Sequence, residues 1–141
     1  METCVILTNS ANQNLPASPT TLTFDTEVVK KGPASQHNNA VNNSRYIAPV
    51  DGRYYVTAAF HDVRAGGTSL QIQKNGSGAT LEYQNAETFP GTNDVYPQIA
   101  RLIDLLAGEY IELVIYGLVN PAGAQTKDVA LPYFSVSLQP S

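Results

Sequence analysis

The sequence has 141 residues, of which 43% are hydrophobic and only 14% are charged, a length that suits one domain with its own core. The formal net charge is −4 and the chain holds only eight Lys and Arg residues, so it lacks the basic cluster that neutralises nucleic-acid phosphates. Cys4 is the only cysteine, which excludes an intrachain disulfide. No stretch approaches the roughly 18 apolar residues of a membrane helix, so we expect no membrane insertion.

The first 20 residues have the pattern of an N-terminal arm or linker. A short apolar run, Val5, Ile6 and Leu7, precedes a polar stretch at residues 8–20 that contains two prolines. The run is too short for the core of a signal peptide, so we expect no export signal. We predict an arm over residues 1–20, whose apolar run anchors the protein to a neighbour, and one domain over residues 21–141.

Most of the remaining chain has strand patterns, at residues 22–29, 45–50, 53–63, 69–83, 98–119 and 131–139. Pro49 cannot donate to a central ladder, so the second of these stretches should end there. Leu70 and Ile72 alternate with polar residues ahead of Asn75-Gly76, which predicts a hairpin with its turn at that dipeptide. Short strands at turn-marked intervals predict an all-β sandwich.

Residues 99–106 allow two interpretations. Ile99, Leu102, Ile103 and Leu106 recur at helical spacing, whereas Ile99, Ile103 and Leu105 also fit the alternation of a strand that leads into a turn at Gly108. The local pattern does not decide between them. The strand-rich surroundings favour a strand.

Three of the predicted strands carry apolar or aromatic residues on both faces, whereas a strand with one wet face alternates apolar and polar residues. These strands are "YYVTAAF", "YIELVIY" and "YFSVSL". Their second faces combine tyrosine with small residues, and tyrosine is enriched at protein interfaces. If the three strands are neighbours in one sheet, that face meets another subunit; a covering loop, the N-terminal arm or plain exposure are the alternatives. The candidate interface residues are Tyr55, Thr57, Ala59, Tyr110, Val114, Tyr116 and Tyr133.

Five stretches, taken in order, resemble the globular head of complement component C1q, which belongs to the wider tumour necrosis factor-like jelly-roll group. They are "LTFDTEVVKKG", "RYIAPVDGRYYVTAAF", "LQIQKNG", "LIDLLAGEYIELVIY" and "YFSVSL". In the second stretch, Tyr46 stands at the family's aromatic position, and Pro49, Gly52 and Tyr54 match its signature. The resemblance implies a ten-stranded jelly-roll sandwich that assembles as a homotrimer, with the inner sheet packed subunit on subunit around the three-fold axis.

The sequence offers little for catalysis or metal binding. Its histidines are His37, in an Asn-rich loop, and His61, which is followed by Asp62; no Gly-x-Ser-x-Gly nucleophile motif is present. Closely spaced zinc ligands are absent, and Asp62, Asp94 and Asp104 fit solvated loop acids better than calcium ligands. We therefore predict a non-enzymatic protein with no catalytic residue, metal site or cofactor.

One loop has the composition of a binding surface. Residues 86–97 place Phe89, Asn93, Asp94 and Tyr96 among prolines and polar residues, and loops on a rigid β scaffold often recognise partners. An ordinary connection that packs its aromatics on its own domain is an equal alternative. We list this segment as a candidate partner-binding loop.

Two functions follow from these expectations. The first is a trimeric structural protein of a viral particle, made in the host cytoplasm: a capsid decoration (cement) or fibre-head protein bound to the major capsid protein or the fibre. In that case the arm with Val5 to Leu7 adds a strand to a neighbour. The alternative is a recognition head that binds a glycan or surface receptor on a phage, or at a bacterial cell or spore surface. An enzyme, supported only by His61 and Asp62, comes third.

Overall fold

The computed structural model describes residues 2–10, 20–62, 66–76, 83–89, 98–117 and 129–140, and this part of the chain forms ten strands. A short 3-10 helix, Ala34–Gln36, precedes the fourth strand, and no described helix is long and apolar enough to cross a membrane. The strands are β1 (Cys4–Thr8), β2 (Thr20–Thr21), β3 (Thr26–Lys31), β4 (Tyr46–Ile47), β5 (Gly52–Asp62), β6 (Gly66–Lys74), β7 (Tyr83–Phe89), β8 (Gln98–Leu105), β9 (Tyr110–Gly117) and β10 (Val129–Leu138).

The strands form two antiparallel sheets. Sheet A has the order β3-β1-β10-β5-β8, and sheet B has the order β2-β9-β6-β7, with β4 also paired to β9. The first strand pairs with the last, and the chain passes from one sheet to the other at every connection between consecutive strands except that between β6 and β7. This is the connectivity of a jelly roll. The predicted all-β sandwich is confirmed.

The core lies between the two sheets and is filled mainly by alternate residues of β1, β5, β6, β8, β9 and β10. Val56 and Val136 from sheet A and Leu70 and Leu113 from sheet B are buried, as the period of two in a strand requires. Aromatic pairs add to it: the rings of Phe24 and Phe134 are 5.3 Å apart, and those of Tyr46 and Tyr54 are 5.8 Å apart. Each large side chain that is fully buried contributes about 1.5–3 kcal/mol.

The prediction that Val5, Ile6 and Leu7 form an anchoring arm is wrong. They lie in β1, which is hydrogen-bonded to β3 on one side and β10 on the other, and Val5 and Leu7 are fully buried in the core. A three-residue apolar run between polar residues is also what a short internal strand looks like, and only its long-range pairing separates the two. The sandwich therefore begins before residue 21; residues 11–19 lie outside the described part.

The ambiguous segment 99–106 is a strand. β8 pairs with β5 over eight consecutive residues, from Gln98 opposite Ala59 to Leu105 opposite Gly52. Ile103 and Leu105 point into the core, whereas Leu102 and Leu106 are exposed, so the apolar stripe that a helix would bury does not exist. The strand interpretation is confirmed.

The predicted turns occur where backbone geometry requires them. Asn75 and Gly76 adopt φ values of 55° and 88°, and Gly108 adopts 88°, a region that favours Asn and Gly over other residues. Glycine is favoured at position 52 for a different reason: a Cβ there would lie only 2.5 Å from Cδ1 of Leu138. The Asn75-Gly76 dipeptide follows the end of β6, which pairs with β7 as a hairpin requires, with Ile72 opposite Tyr83; residues 77–82, which include most of the predicted return strand, lie outside the described part.

Candidate interaction surface

The outward side of sheet A forms a continuous surface built by cross-strand register. Because directly opposed residues in antiparallel strands point to the same side, each residue next to a buried core residue lies on this surface. We call it the sheet A face. Its three rows across β1, β10, β5 and β8 are Cys4–Ser137–Tyr55–Leu102, Ile6–Ser135–Thr57–Ala100 and, without β1, Tyr133–Ala59–Gln98.

The sheet A face combines exposed large side chains with small ones. Tyr55, Tyr133 and Leu102 are 44%, 42% and 52% exposed, and the residues between them are serine, threonine and alanine. None of the residues in the three rows is charged. An uncharged surface bearing exposed tyrosine and leucine matches the core of a protein interface, which is depleted of charge and enriched in aromatic residues.

Charged residues lie at two borders of this surface. Beyond β1, Lys31 of the edge strand β3 stands directly opposite Cys4. Arg53 of β5 and Asp104 of β8 are directly opposed, and the guanidinium donates two hydrogen bonds, of 2.8 and 3.0 Å, to the two carboxylate oxygens. These hydrogen bonds lower the pKa of Asp104. Since both side chains are well exposed, the pair forms a polar rim rather than part of the uncharged centre.

A shallow groove of about 500 Å³ crosses the opposite part of the face. It is lined by small residues of β5 and β8 (Thr57, Ala59 and Ala100), with Tyr133 beside them. Small side chains on two adjacent strands leave room above the sheet, and the tyrosine ring forms one wall. The groove is of a size that accepts a large side chain from a second protein.

The structure brings together four of the seven predicted interface residues. Tyr55, Thr57, Ala59 and Tyr133 lie on the sheet A face. Tyr110, Val114 and Tyr116 do not, because β9 belongs to sheet B. The premise that the three two-faced strands are neighbours in one sheet is therefore wrong. Apolar residues on both faces show that a strand is covered twice, but they carry no information on which sheet it joins.

On sheet B the corresponding residues have partners within the same chain. The guanidinium of Arg45 stacks over the ring of Tyr110, 4.1 Å from its centroid, and its Nε lies 3.8 Å from a carboxylate oxygen of Glu112. Val114 is only 4% exposed in the single chain, so it offers no area to a partner. The side chain of Tyr116 lies outside the described part of the structure.

β8 contributes two residues to the sheet A face that are not among the predicted interface residues. Leu102 is the most exposed of the three large side chains on the face, and Ala100 lines the groove. The signal was present: in the strand interpretation, Ala100 and Leu102 form the set opposite to the buried Ile99 and Ile103. It was not used because the same leucine also fitted a helix.

The candidate partner-binding loop is described only at its start. Phe89 is the last residue of β7, where its backbone pairs with Gly66. Asn93, Asp94 and Tyr96 lie outside the described residues. A binding role for this loop remains a prediction.

The described histidine has a structural position. His37 is 2% exposed, and its ring nitrogens lie 2.8 Å from the carbonyl oxygen of Arg45 and 3.0 Å from that of Phe24, so it joins the Asn-rich loop to the segment before β3. The side chains of His61 and Asp62 are outside the described part. Among the residues that are described, no group of three or more His, Cys, Asp or Glu side chains could hold a metal ion.

Comparison with known proteins places the fold. The globular domain of the zebrafish complement 1qA protein superposes with a TM-score of 0.71 at 13% sequence identity, over 98% of this chain and 96% of that one. Murine APRIL at pH 5.0 superposes with a TM-score of 0.68 at 12% identity, over 99% of this chain and all of the other. No family model matches the sequence, and no curated protein matches it either.

These likenesses define the class of fold. The chain is a C1q/TNF-like jelly-roll β-sandwich, as the resemblance of its sequence motifs implied. At 12–13% identity the likeness is one of fold alone, because one fold hosts many functions. Function has to be argued from the surfaces of this chain.

Proposed function

We propose that this protein is a non-enzymatic interaction domain that assembles as a homotrimer through the sheet A face. The observation that carries the proposal is an uncharged surface, four strands wide, on which Tyr55, Tyr133 and Leu102 are 42–52% exposed. Exposed apolar patches of this kind mark interaction sites on soluble proteins. The C1q-like resemblance implies the same sheet as the subunit contact.

A second copy of the chain fits this face better than an unrelated partner. The centre of the face lacks charge, so a self-complementary or rotationally repeated contact brings no like charges together. The strand β8 forms one edge of sheet A, and an edge strand with an exposed leucine favours association unless it is covered. Assembly covers Leu102 and the tyrosines together.

Leu102→Glu tests the assembly directly. A carboxylate on this apolar surface would lose its hydration when a second subunit covers it, so we expect the trimer mass seen by light scattering to fall to that of a monomer. Val41→Glu is the matched control, because Val41 is 63% exposed and lies in the Asn-rich loop. A wild-type protein that is monomeric at micromolar concentration, or a Leu102→Glu variant that stays trimeric, would contradict the proposal.

Within this proposal, the assembly that uses the trimer is a viral particle. The domain would act as a capsid decoration or fibre-head protein, bound to the major capsid protein or the fibre, and would be located in the virion after synthesis in the host cytoplasm. Support comes from the broad uncharged contact surface of the described residues, which suits a protein whose role is assembly. The genes that flank this one test the role: virion genes support it, and genes for a surface stalk oppose it.

The second candidate is a recognition head, and one feature of the topology favours it. Asp62 at the end of β5 pairs with Val129 at the start of β10, and Phe89 at the end of β7 pairs with Gly66 at the start of β6. The ends of β5, β7 and β9 and the starts of β6, β8 and β10 therefore lie at one end of the sandwich, and connections between strands of a rigid β scaffold carry binding residues in many proteins. The ligand would be a glycan or a surface receptor, at a bacterial cell or spore surface.

A glycan array probed with the trimer separates the two functions. Specific signals that disappear in Phe89→Ala and Tyr96→Ala, while the trimer mass is unchanged, support the recognition head. Signals that persist in both variants, or a blank array, leave the structural role as the supported one. Thr21→Ala, on β2 of sheet B, serves as the surface control.

A further inference from the structure

Asn75 is the only asparagine of the chain that is followed by glycine, the sequence in which asparagine deamidates most readily. The backbone nitrogen of Gly76 attacks the side-chain carbonyl carbon of Asn75, a C–N bond forms, and ammonia leaves. Water then opens the cyclic imide to aspartate or isoaspartate. Glycine permits the attack because it has no Cβ to hinder it. The dipeptide is solvent-exposed at Asn75, so water and base reach it.

The fold holds this side chain in a position that opposes the reaction. Its Oδ1 accepts a 3.0 Å hydrogen bond from the backbone N–H of Tyr110, and its Nδ2 donates a 3.2 Å hydrogen bond to Oε1 of Glu109. The backbone N–H of Asn75 also donates to the carbonyl oxygen of Tyr110, at 2.9 Å. Both ends of the side-chain amide are therefore held toward β9. The side-chain hydrogen bonds to Tyr110 and Glu109 must both break before the amide can turn to Gly76.

Glu109 connects this contact to the rest of the turn region. Its Oε2 accepts a 2.8 Å hydrogen bond from the backbone N–H of Leu106 and forms a salt bridge with Nζ of Lys74, 2.7 Å away. We call Lys74, Asn75, Leu106, Glu109 and Tyr110 the turn corner. It joins the end of β6 to the turn between β8 and β9.

We propose that Asn75 is a site of spontaneous deamidation, that the turn corner suppresses the reaction in the folded protein, and that the product destabilises the corner. Deamidation replaces the amide that donates to Glu109 with a second carboxylate at the same distance. Attraction then becomes repulsion between like charges. Isoaspartate also adds a methylene to the backbone, at a residue whose φ of 55° belongs to a tight turn.

The reaction rate in wild-type protein tests the suppression. We expect deamidation at Asn75, followed by mass spectrometry of the peptide that contains residues 75 and 76, to be about tenfold or more slower in the folded protein than in urea at the same pH and temperature, because two hydrogen bonds must open first. Asn43, which precedes Ser44 in the Asn-rich loop, is the internal reference. Equal rates for Asn75 in the two states would overturn the proposal without any variant.

Glu109→Ala tests whether the hydrogen bond from Asn75 to Glu109 is what slows deamidation. Removing the acceptor should raise the rate at Asn75 several-fold in the folded protein and leave the rate at Asn43 unchanged. An unchanged rate at Asn75 in a variant that is folded by circular dichroism would show that the turn corner is not what protects it. If the variant does not fold, the comparison of folded and urea-denatured wild-type protein decides alone.

Asn75→Asp imitates the main product and tests its effect. We expect a lower melting temperature than in Asn39→Asp, which adds the same charge on an exposed residue of the Asn-rich loop, away from the turn corner. Equal melting temperatures would contradict the proposed damage to the corner. None of these measurements depends on assembly, so failure here leaves the trimer proposal untouched.

Discussion

The outward faces of the two sheets both carry tyrosines, yet they differ in what those tyrosines contact. On sheet B, Tyr110 lies under the guanidinium of Arg45, which also lies near Glu112, and Val114 is buried within the chain. On sheet A, Tyr55 and Tyr133 stand exposed among serine, threonine and alanine. On sheet B, residues of the same chain cover the outward side of β9, whereas the sheet A face leaves apolar area exposed for a partner.

The difference shows that tyrosine on a second strand face is not by itself evidence for an interface. Both faces look alike in the sequence, because a tyrosine covered by an arginine and a tyrosine awaiting a subunit have the same neighbours along the strand. What separates them is a residue distant in sequence: Arg45 lies 65 positions before Tyr110, as the numbering of the pair shows. Whether a tyrosine on an outward face is free to contact another subunit therefore depends on which residues of its own chain cover it, and the strand pattern does not show this.

The largest expected change is in the free energy of unfolding, and it distinguishes the core side of β1 from the side on the sheet A face. Leu7→Ala should lower the free energy of unfolding by about 2–5 kcal/mol, because it leaves a cavity in the core where Leu7 is fully buried. Ile6→Ala is the control on the same strand, with its side chain on the sheet A face. We expect it to cost clearly less in urea unfolding. Equal losses would mean that β1 does not divide core from surface as described.

The second prediction compares the outward faces of sheet A and sheet B by their effect on trimer assembly. Tyr55→Ala should weaken trimer assembly by about 2 kcal/mol for each contact, which is roughly thirtyfold in the dissociation constant, since interface tyrosines commonly dominate binding. Tyr110→Ala should leave assembly unchanged. Sedimentation analysis over a concentration series measures both. Weakened assembly in Tyr110→Ala would erase the proposed difference between sheets A and B.

A smaller effect is expected for stability on sheet B. Tyr110→Ala removes the ring over which Arg45 stacks and should lower the free energy of unfolding by about 1 kcal/mol, at the upper end for a partly exposed cation–π contact. Tyr110→Phe keeps the ring and should retain most of that stability. Urea unfolding of the two variants checks this. A Phe variant as unstable as the Ala variant would show that the ring is not what matters.

Much of the fold was predictable because it depends on local patterns. The turns at Asn75-Gly76 and Gly108, the end of a strand before Pro49, and the alternation of Tyr54 with Tyr55 follow from φ preferences and a period of two. The strand at residues 99–106 followed from its surroundings. These features are settled within a few residues of where they occur, and the structure has them where the sequence indicated.

The errors arose where a residue's role depends on distant pairing. Val5 and Leu7 looked like an arm because nothing nearby indicates that β10, more than a hundred residues later, pairs with them. β9 was grouped with β5 and β10 because its pattern matches theirs, although a jelly roll sends it to the other sheet. Four of seven interface candidates share a face because β5 and β10 are direct neighbours, a long-range pairing that the strand pattern does not show.

The smallest effect concerns the rim of the sheet A face and shows whether charge matters there. Hydrogen bonds from Arg53 lower the pKa of Asp104 from its ordinary 3.8, so the carboxylate binds protons more weakly in the folded than in the unfolded chain. The stability from this pair is therefore fully present above pH 3.8 and is lost as the pH falls through the lowered folded pKa. Because both side chains are exposed, we expect only a slight fall in melting temperature from this pair between pH 5 and pH 2.5, and less of a fall in Asp104→Asn than in wild type. A large fall that Asp104→Asn abolishes would mean that the rim, rather than the uncharged centre of the face, contributes most of the stability of this surface.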